Sequence, residues 1–251
     1  MRARLASIRH SPGFGGCATA GGGHARSRPA SLTAIMLDGG PAPSMCGMLD
    51  LSIALACLIP ALAMRPWRGF GPSGPPGAWL TWWMLMPLFW GADRLADSAV
   101  LQPLSGAPLL VLMAGWPLAV LALVPTALLT GWLGQLDAWE TLHRLVWLGL
   151  VPATLVLGLG AAVRRLLPHH LFVYIFARGF FATQLACTLA GALALWLGGV
   201  PAHLDGAELM VGRWLSAWGD AVLTGMLVAI FVAFRPEWLA TYSDRLYLPR
   251  R

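Results

Sequence analysis

The sequence predicts an all-α, polytopic membrane protein with about seven transmembrane helices. Three observations carry that expectation. Of 251 residues, 57% are apolar and only 11% are charged, against about 25% charged in a typical soluble domain. Mean hydropathy is +0.67. The apolar residues fall in long charge-free stretches, and at ~20 residues per span plus loops the length admits at most about seven crossings. Such a composition rules out a disordered chain, a collagen-like chain and almost any soluble globular enzyme.

The elements follow in order. Residues 1–44 are rich in Gly, Ser, Ala and Arg and contain no apolar run, so the h-region of a signal peptide is missing. They read as a disordered or over-extended N-terminal segment ahead of one transmembrane domain, 45–251. Met48–Met64 is the first apolar run, flanked by Asp50 and Arg65 as snorkelling ends. A Gly/Pro loop, Gly69–Gly77, leads to Ala78–Ala92, where Trp79, Trp82, Trp83 and Trp90 stand as interfacial or packing aromatics. Pro103–Trp132 carries no charge but is broken at Gly115-Trp116-Pro117 and again at Pro125. Pro removes a backbone donor and Gly relaxes the turn, so this stretch reads as a broken or hairpin pair. A single crossing there would leave six helices. Clear spans follow at about 141–163, 171–198 and 213–234.

Charge sets the expected orientation. All seventeen basic residues are arginine, a usage that fits a GC-rich gene, and the net charge of +6 is concentrated at the two ends of the chain. Residues 1–44 hold Arg2, Arg4, Arg9, Arg26 and Arg28 against the single acid Asp38, and the tail holds Arg235, Arg245, Arg250 and Arg251. No basic face with interleaved aromatics is present, so nucleic acid is not an expected partner. Arg164, Arg165 and Arg235 mark one side as cytoplasmic. The loops with Asp137 and Glu140, and with Asp205 and Glu208, are acid-biased and fall outside. Two crossings in 103–132 then put Asp93, Arg94 and Asp97 outside, Arg65 and Arg68 inside, and the C-terminus in the cytoplasm of a bacterial inner-membrane protein. No internal repeat of 20–50 residues is evident, which gives an inverted-repeat transporter no support.

An ionisable group inside a span costs several kcal/mol and is a functional candidate by default. Asp220 and Arg178 qualify. Their spans are adjacent and antiparallel, yet at 1.5 Å per residue their depths differ by roughly 10 Å, which disfavours a direct pair. The alternative is separate satisfaction, with Arg178 snorkelling and Asp220 bonded to Trp or backbone donors. His143 opens a span near the outer side, while His169 and His170 follow Pro168 at the inner side, so no bis-His haem site is expected. His143 reads either as an ordinary helix-end residue or as a third candidate for the substrate path or helix coupling. The widely spaced Cys17, Cys46, Cys57 and Cys187 form no CxxC, indicating neither a disulfide framework nor zinc. Met84 and Met86 lie two apart on a helix, on different faces, so packing explains them better than a copper site, with Met113 further along the chain. The small-residue pairs Ser52/Ala56 and Cys57/Ala61 are a weak helix-packing signal. GxSxG, HExxH and Walker-type phosphate loops are all missing, so a non-enzymatic protein without its own ATPase is expected.

Four segments bear a resemblance. They are Leu167-Pro168-His169-His170-Leu171-Phe172-Val173-Tyr174 with Gly179-Phe180-Phe181, and Asp220-Ala221-Val222-Leu223-Thr224-Gly225-Met226. The others are Phe234-Arg235-Pro236-Glu237-Trp238-Leu239-Ala240-Thr241-Tyr242 with Asp244-Arg245-Leu246-Tyr247-Leu248, and earlier Leu104–Trp116. Together they resemble the integral membrane permease of cobalt/nickel energy-coupling-factor transporters, the CbiM/NikM type in its proteobacterial branch. The likeness covers roughly 48–248 and is distinctive over the last eighty or so residues.

The resemblance implies a seven-helix substrate-capture subunit that works with a coupling membrane subunit and cytoplasmic ATPases. It also implies a nitrogen-rich site for Ni²⁺ or Co²⁺ as transported substrate. The chain departs from the family at that site. A Met-His-x-Pro-Asp-Gly start is missing, with Asp38-Gly39-Gly40-Pro41 at best a remnant. Pro103, beside Gln102, stands where the family has a His before its Leu-Leu-Gly helix, and Arg178 stands for a family Asn. No metal ligand is assignable. The rival expectations are the same fold carrying another small substrate, a degenerate subunit without metal capture, and an intramembrane enzyme or electron-transfer anchor.

Overall fold

The computed structural model describes residues 45–69, 77–95, 103–168, 170–198 and 205–242. The N-terminal segment 1–44, Asp97, His169 and the last nine residues lie outside them. The described chain is all helical: α1 (Met45–Ala63), α2 (Gly77–Trp90), α3 (Ala107–Ala114), α4 (Trp116–Gly134), α5 (Ala138–Leu166), α6 (Leu171–Gly198) and α7 (Gly206–Phe234). Four of these, α4 to α7, are long and apolar enough to cross a membrane, and Gly47–Ala63 is a shorter apolar helix. The protein is an all-α polytopic membrane protein.

Local sequence explains the helix ends. Asp137 caps α5 by accepting from the Glu140 N–H at 2.6 Å, and Asp205 caps α7 by accepting from the Ala207 N–H at 3.0 Å. Pro108 and Pro117 sit in the first turns of α3 and α4, where the missing donor costs nothing. Between them Gly115 takes φ 80°, a backbone conformation that breaks Pro103–Trp132 into two helices. The interruption expected at Gly115-Trp116-Pro117 is therefore present, whereas Pro125 stays within α4. The long helices start earlier than the apolar runs do: α5 at Ala138 and α7 at Gly206.

The seven helices run alternately between two ends of the bundle. Gly47 packs on Trp139 and Gly134 lies by Arg94, which gathers the start of α1, the ends of α2 and α4 and the start of α5. This is the acidic end, with Asp50, Asp93, Asp137 and Glu140. Gly160 against Arg178 and Gly179 against Val228 align α5, α6 and α7 as antiparallel neighbours. The opposite, arginine end carries Arg164, Arg165 and Arg235. Large apolar side chains such as Met84, Trp132, Trp196, Leu215 and Phe234 cover the outside of the bundle, as a lipid-facing surface requires.

Packing sorts the small and soft residues. Cys57 and Ala61 are buried and Ser52 and Ala56 exposed, so only the second small-residue pair faces the bundle. Met86 is buried and Met84 exposed, on the different faces their spacing predicts.

Candidate functional site

The centre of the molecule is the start of the half-helix α3. Pro103–Gly106 is non-helical and runs through the bundle interior, with Ser105 and Gly106 buried. Asp220, fourteen residues into α7 and so about 21 Å from its start at 1.5 Å per residue, reaches this segment. Its two carboxylate oxygens accept from consecutive backbone donors, Ser105 N–H at 2.9 Å and Gly106 N–H at 3.0 Å. Two adjacent N–H groups at a helix start form an anion nest on the positive end of the helix dipole. The buried Cys187 thiol lies beside the carboxylate.

The other polar groups of Ser105 and Gly106 are also engaged. Trp90 Nε1 donates to Ser105 O at 2.7 Å and Trp82 Nε1 to Gly106 O at 3.0 Å. Ser105 Oγ donates to Leu148 O at 2.5 Å and accepts from Ala107 N–H at 3.3 Å. Leu148 lies in a π-helical stretch of α5, Leu145–Leu150, where the wider turn re-aims backbone carbonyls. Non-helical backbone survives at membrane depth only when satisfied in this way. Gly106 is required twice over: its φ is 64°, and a Cβ would sit 3.2 Å from the Trp82 ring.

The far end of α3 is held by the chain that follows α7. Ala240 N–H donates to Met113 O at 3.1 Å, and Thr241 donates through N–H and Oγ to Leu112 O at 3.3 and 3.1 Å. Tyr174 Oη meets Thr241 Oγ at 2.9 Å, Tyr174 and Tyr242 stack edge to face, and Leu239 is buried. The last helix and its tail thus clamp α3 at both ends.

The three sequence candidates occupy three separate places. Asp220 has the backbone donors described above, one of the two alternatives the sequence left open. Arg178 is buried near the arginine end, stacked by Gly160, with a 3.4 Å bond to Thr241 O and the Tyr174 ring 5.6 Å away. It forms no ion pair with Asp220. His143 lies five residues into the acidic end of α5, and its Nδ1 is 2.8 Å from Asp50 Oδ2. Asp50 corrects the sequence reading. Read as a snorkelling flank, it is 5% exposed and also accepts from Trp147 Nε1 at 2.8 Å, tying α1 to α5. His143 is accordingly no plain helix-end residue. His170, at the arginine end, is remote from His143.

Two buried cations went unnoticed in the sequence. Arg144 is 1% exposed and forms a two-bond fork with Asp93, at 2.9 and 2.7 Å. It also donates to Glu140 at 3.0 Å and to the carbonyl of Trp90. Burial works against ionisation of Asp93, but the hydrogen bonds and charge of Arg144, with the charge of Arg94, outweigh it and hold the carboxyl below its ordinary range. Arg213 donates to Gly191 O at 2.6 Å between α6 and α7. The available signal was an arginine close inside the start of an apolar run, with Glu140 and Arg144 four apart.

Among the described residues no three His, Cys, Asp or Glu side chains group as a metal site. Asp220 has both oxygens committed to backbone, which makes it an anchor for α3. Compared with known proteins, the chain matches no family model, no curated protein and no solved structure.

Proposed function

We propose that the protein is the membrane-embedded permease, or substrate-capture subunit, of an energy-coupling-factor transporter, with nickel or cobalt ion as the transported substrate. It would sit in a bacterial inner membrane with its C-terminus in the cytoplasm. A coupling membrane subunit and cytoplasmic ATPases would be its partners, since it supplies no ATPase of its own. One observation carries the reading. Leu104–Trp116, Asp220–Met226 and Phe234–Tyr242, separate segments on which the resemblance rests, meet around α3, and Tyr174 of a fourth joins them through Thr241. A half-helix broken in the bundle interior is also where transporters place substrate sites.

A second reading is favoured by the donor set. With no three metal-ligating side chains grouped among the described residues and both Asp220 oxygens bonded to backbone, the same fold would serve as a subunit without metal capture. Elemental analysis of detergent-purified protein from cells supplied with nickel and cobalt separates the two. About one equivalent of either metal supports capture by this chain. Background metal, with co-purification of a coupling subunit and ATPase, supports the second reading, and failure of both removes the transporter assignment.

A further inference from the structure

We propose that the cleft between the end of α5 and the start of α6 binds the phosphate of an anionic phospholipid, through Arg178 and Arg164. The proposal is independent of the transport reading.

Arg178 is 9% exposed. A buried guanidinium normally meets a carboxylate or a full set of acceptors. Here Nε is buried against Gly160 without a hydrogen-bond partner among the described residues, and the head group donates to Thr241 O across 3.4 Å. The Tyr174 ring face gives partial compensation at 5.6 Å. Among the described residues no Asp or Glu lies within ion-pair distance of Arg178 or Arg164; at this end only the exposed Arg235 and Glu237 pair, whereas the buried ion pairs all lie at the other end.

The cleft beside Arg178 is lined by Arg164 and by apolar Val163, Leu167, Pro168 and Val173. Two cations above an apolar wall match a phosphate joined to acyl chains. Exposed Leu166, Phe172 and Phe176 continue that wall outward, the two phenyl rings stacked at 4.4 Å. The depth is also right. Arg178 lies seven residues into α6, about 10 Å from its start, in a helix about 42 Å long that matches a whole bilayer with its headgroups. Its head therefore reaches the headgroup boundary, where basic pockets between helices hold lipid phosphates. A free anion would leave the apolar wall without a purpose, and a partner's carboxylate would need to enter from the lipid side.

Native mass spectrometry of the full chain in detergent, titrated with phosphatidylglycerol or phosphatidylcholine, tests this. Wild type should hold one phosphatidylglycerol in clear preference, and Arg178→Gln and Arg164→Gln should each weaken it about fivefold, as expected for about 1 kcal/mol per arginine. Arg165→Gln, exposed at the same end and outside the cleft, should not. Arg164 is itself exposed, so its variant keeps the test decisive if Arg178→Gln misfolds. Equal binding of the two lipids would overturn the proposal, as would an equal loss in Arg165→Gln. Displacement of the lipid by millimolar inorganic phosphate, with phosphate itself retained, would assign the site to a free anion instead and overturn the lipid.

Discussion

At the acidic end Arg144, 1% exposed, meets two carboxylates within 3.0 Å, whereas at the arginine end Arg178, 9% exposed, meets none among the described residues. Both are buried arginines in the first turns of long apolar helices. The difference lies in the neighbours. Asp93 follows α2, Glu140 is one turn before Arg144, and Asp50 with His143 and Trp147 forms a second polar group beside them. That end neutralises itself with side chains from three parts of the chain. The arginine end keeps its cation beside a cleft that opens outward. A buried charge that is paired with carboxylates holds helices together, as Arg144 does.

The largest expected effect breaks the paired end. Arg144→Met takes away the buried cation that bridges Asp93 and Glu140, leaving them only the more exposed Arg94, and should cost about 3 kcal/mol, the lower end of the usual penalty for removing one partner of a buried pair. Unfolding in detergent micelles measures it, and a loss under about 1 kcal/mol would show that the network is not stabilising. Next is Asp220→Ala, which strands the buried N–H groups of Ser105 and Gly106 and should destabilise by about 2–4 kcal/mol. Asp220→Asn, which keeps one acceptor oxygen, should lose less. Accelerated hydrogen exchange at the start of α3 in the alanine variant would locate the damage there.

Acid should weaken the paired end more gently. Because the Asp93 carboxyl is held below its ordinary range, its contribution is fully present above about pH 4 and is lost as pH falls through the lower folded value. The melting midpoint in detergent should therefore drop on acidification below about pH 4, and Asp93→Asn should flatten that drop. The smallest effect sharpens the contrast between the ends. Arg178→Gln in lipid-free detergent removes a charge that has no carboxylate partner among the described residues, so stability should change by less than about 1 kcal/mol in either direction. A loss as large as that of Arg144→Met would mean that the two ends handle charge alike.

Much of this was legible in the residues themselves. The break at Gly115, the two faces of Met84 and Met86, the depth mismatch of Arg178 and Asp220 and the separation of His143 from His170 all follow from local spacing. Asp50, Arg144 and Arg213 did not yield to the same reading. An acid or an arginine near the end of an apolar run has the same local signature whether it snorkels or turns inward. Which it does depends on a partner far away in sequence: 93 residues for Asp50 and His143, and 51 for Arg144 and Asp93.

By itself, the sequence determined the membrane class, the all-helical architecture, the helix break at Gly115 and Asp220 as a residue to watch, because hydropathy, proline and glycine act over a few residues. Tertiary structure alone decided that Asp220 anchors a turn 114 residues away and that the tail after α7 closes over Met113 and Leu112. It also decided that Arg144 is paired with two carboxylates while Arg178, with none among the described residues, lies beside a cleft. The physical reason is that a buried polar group must be satisfied by whatever lies next to it, and its neighbours are set by packing.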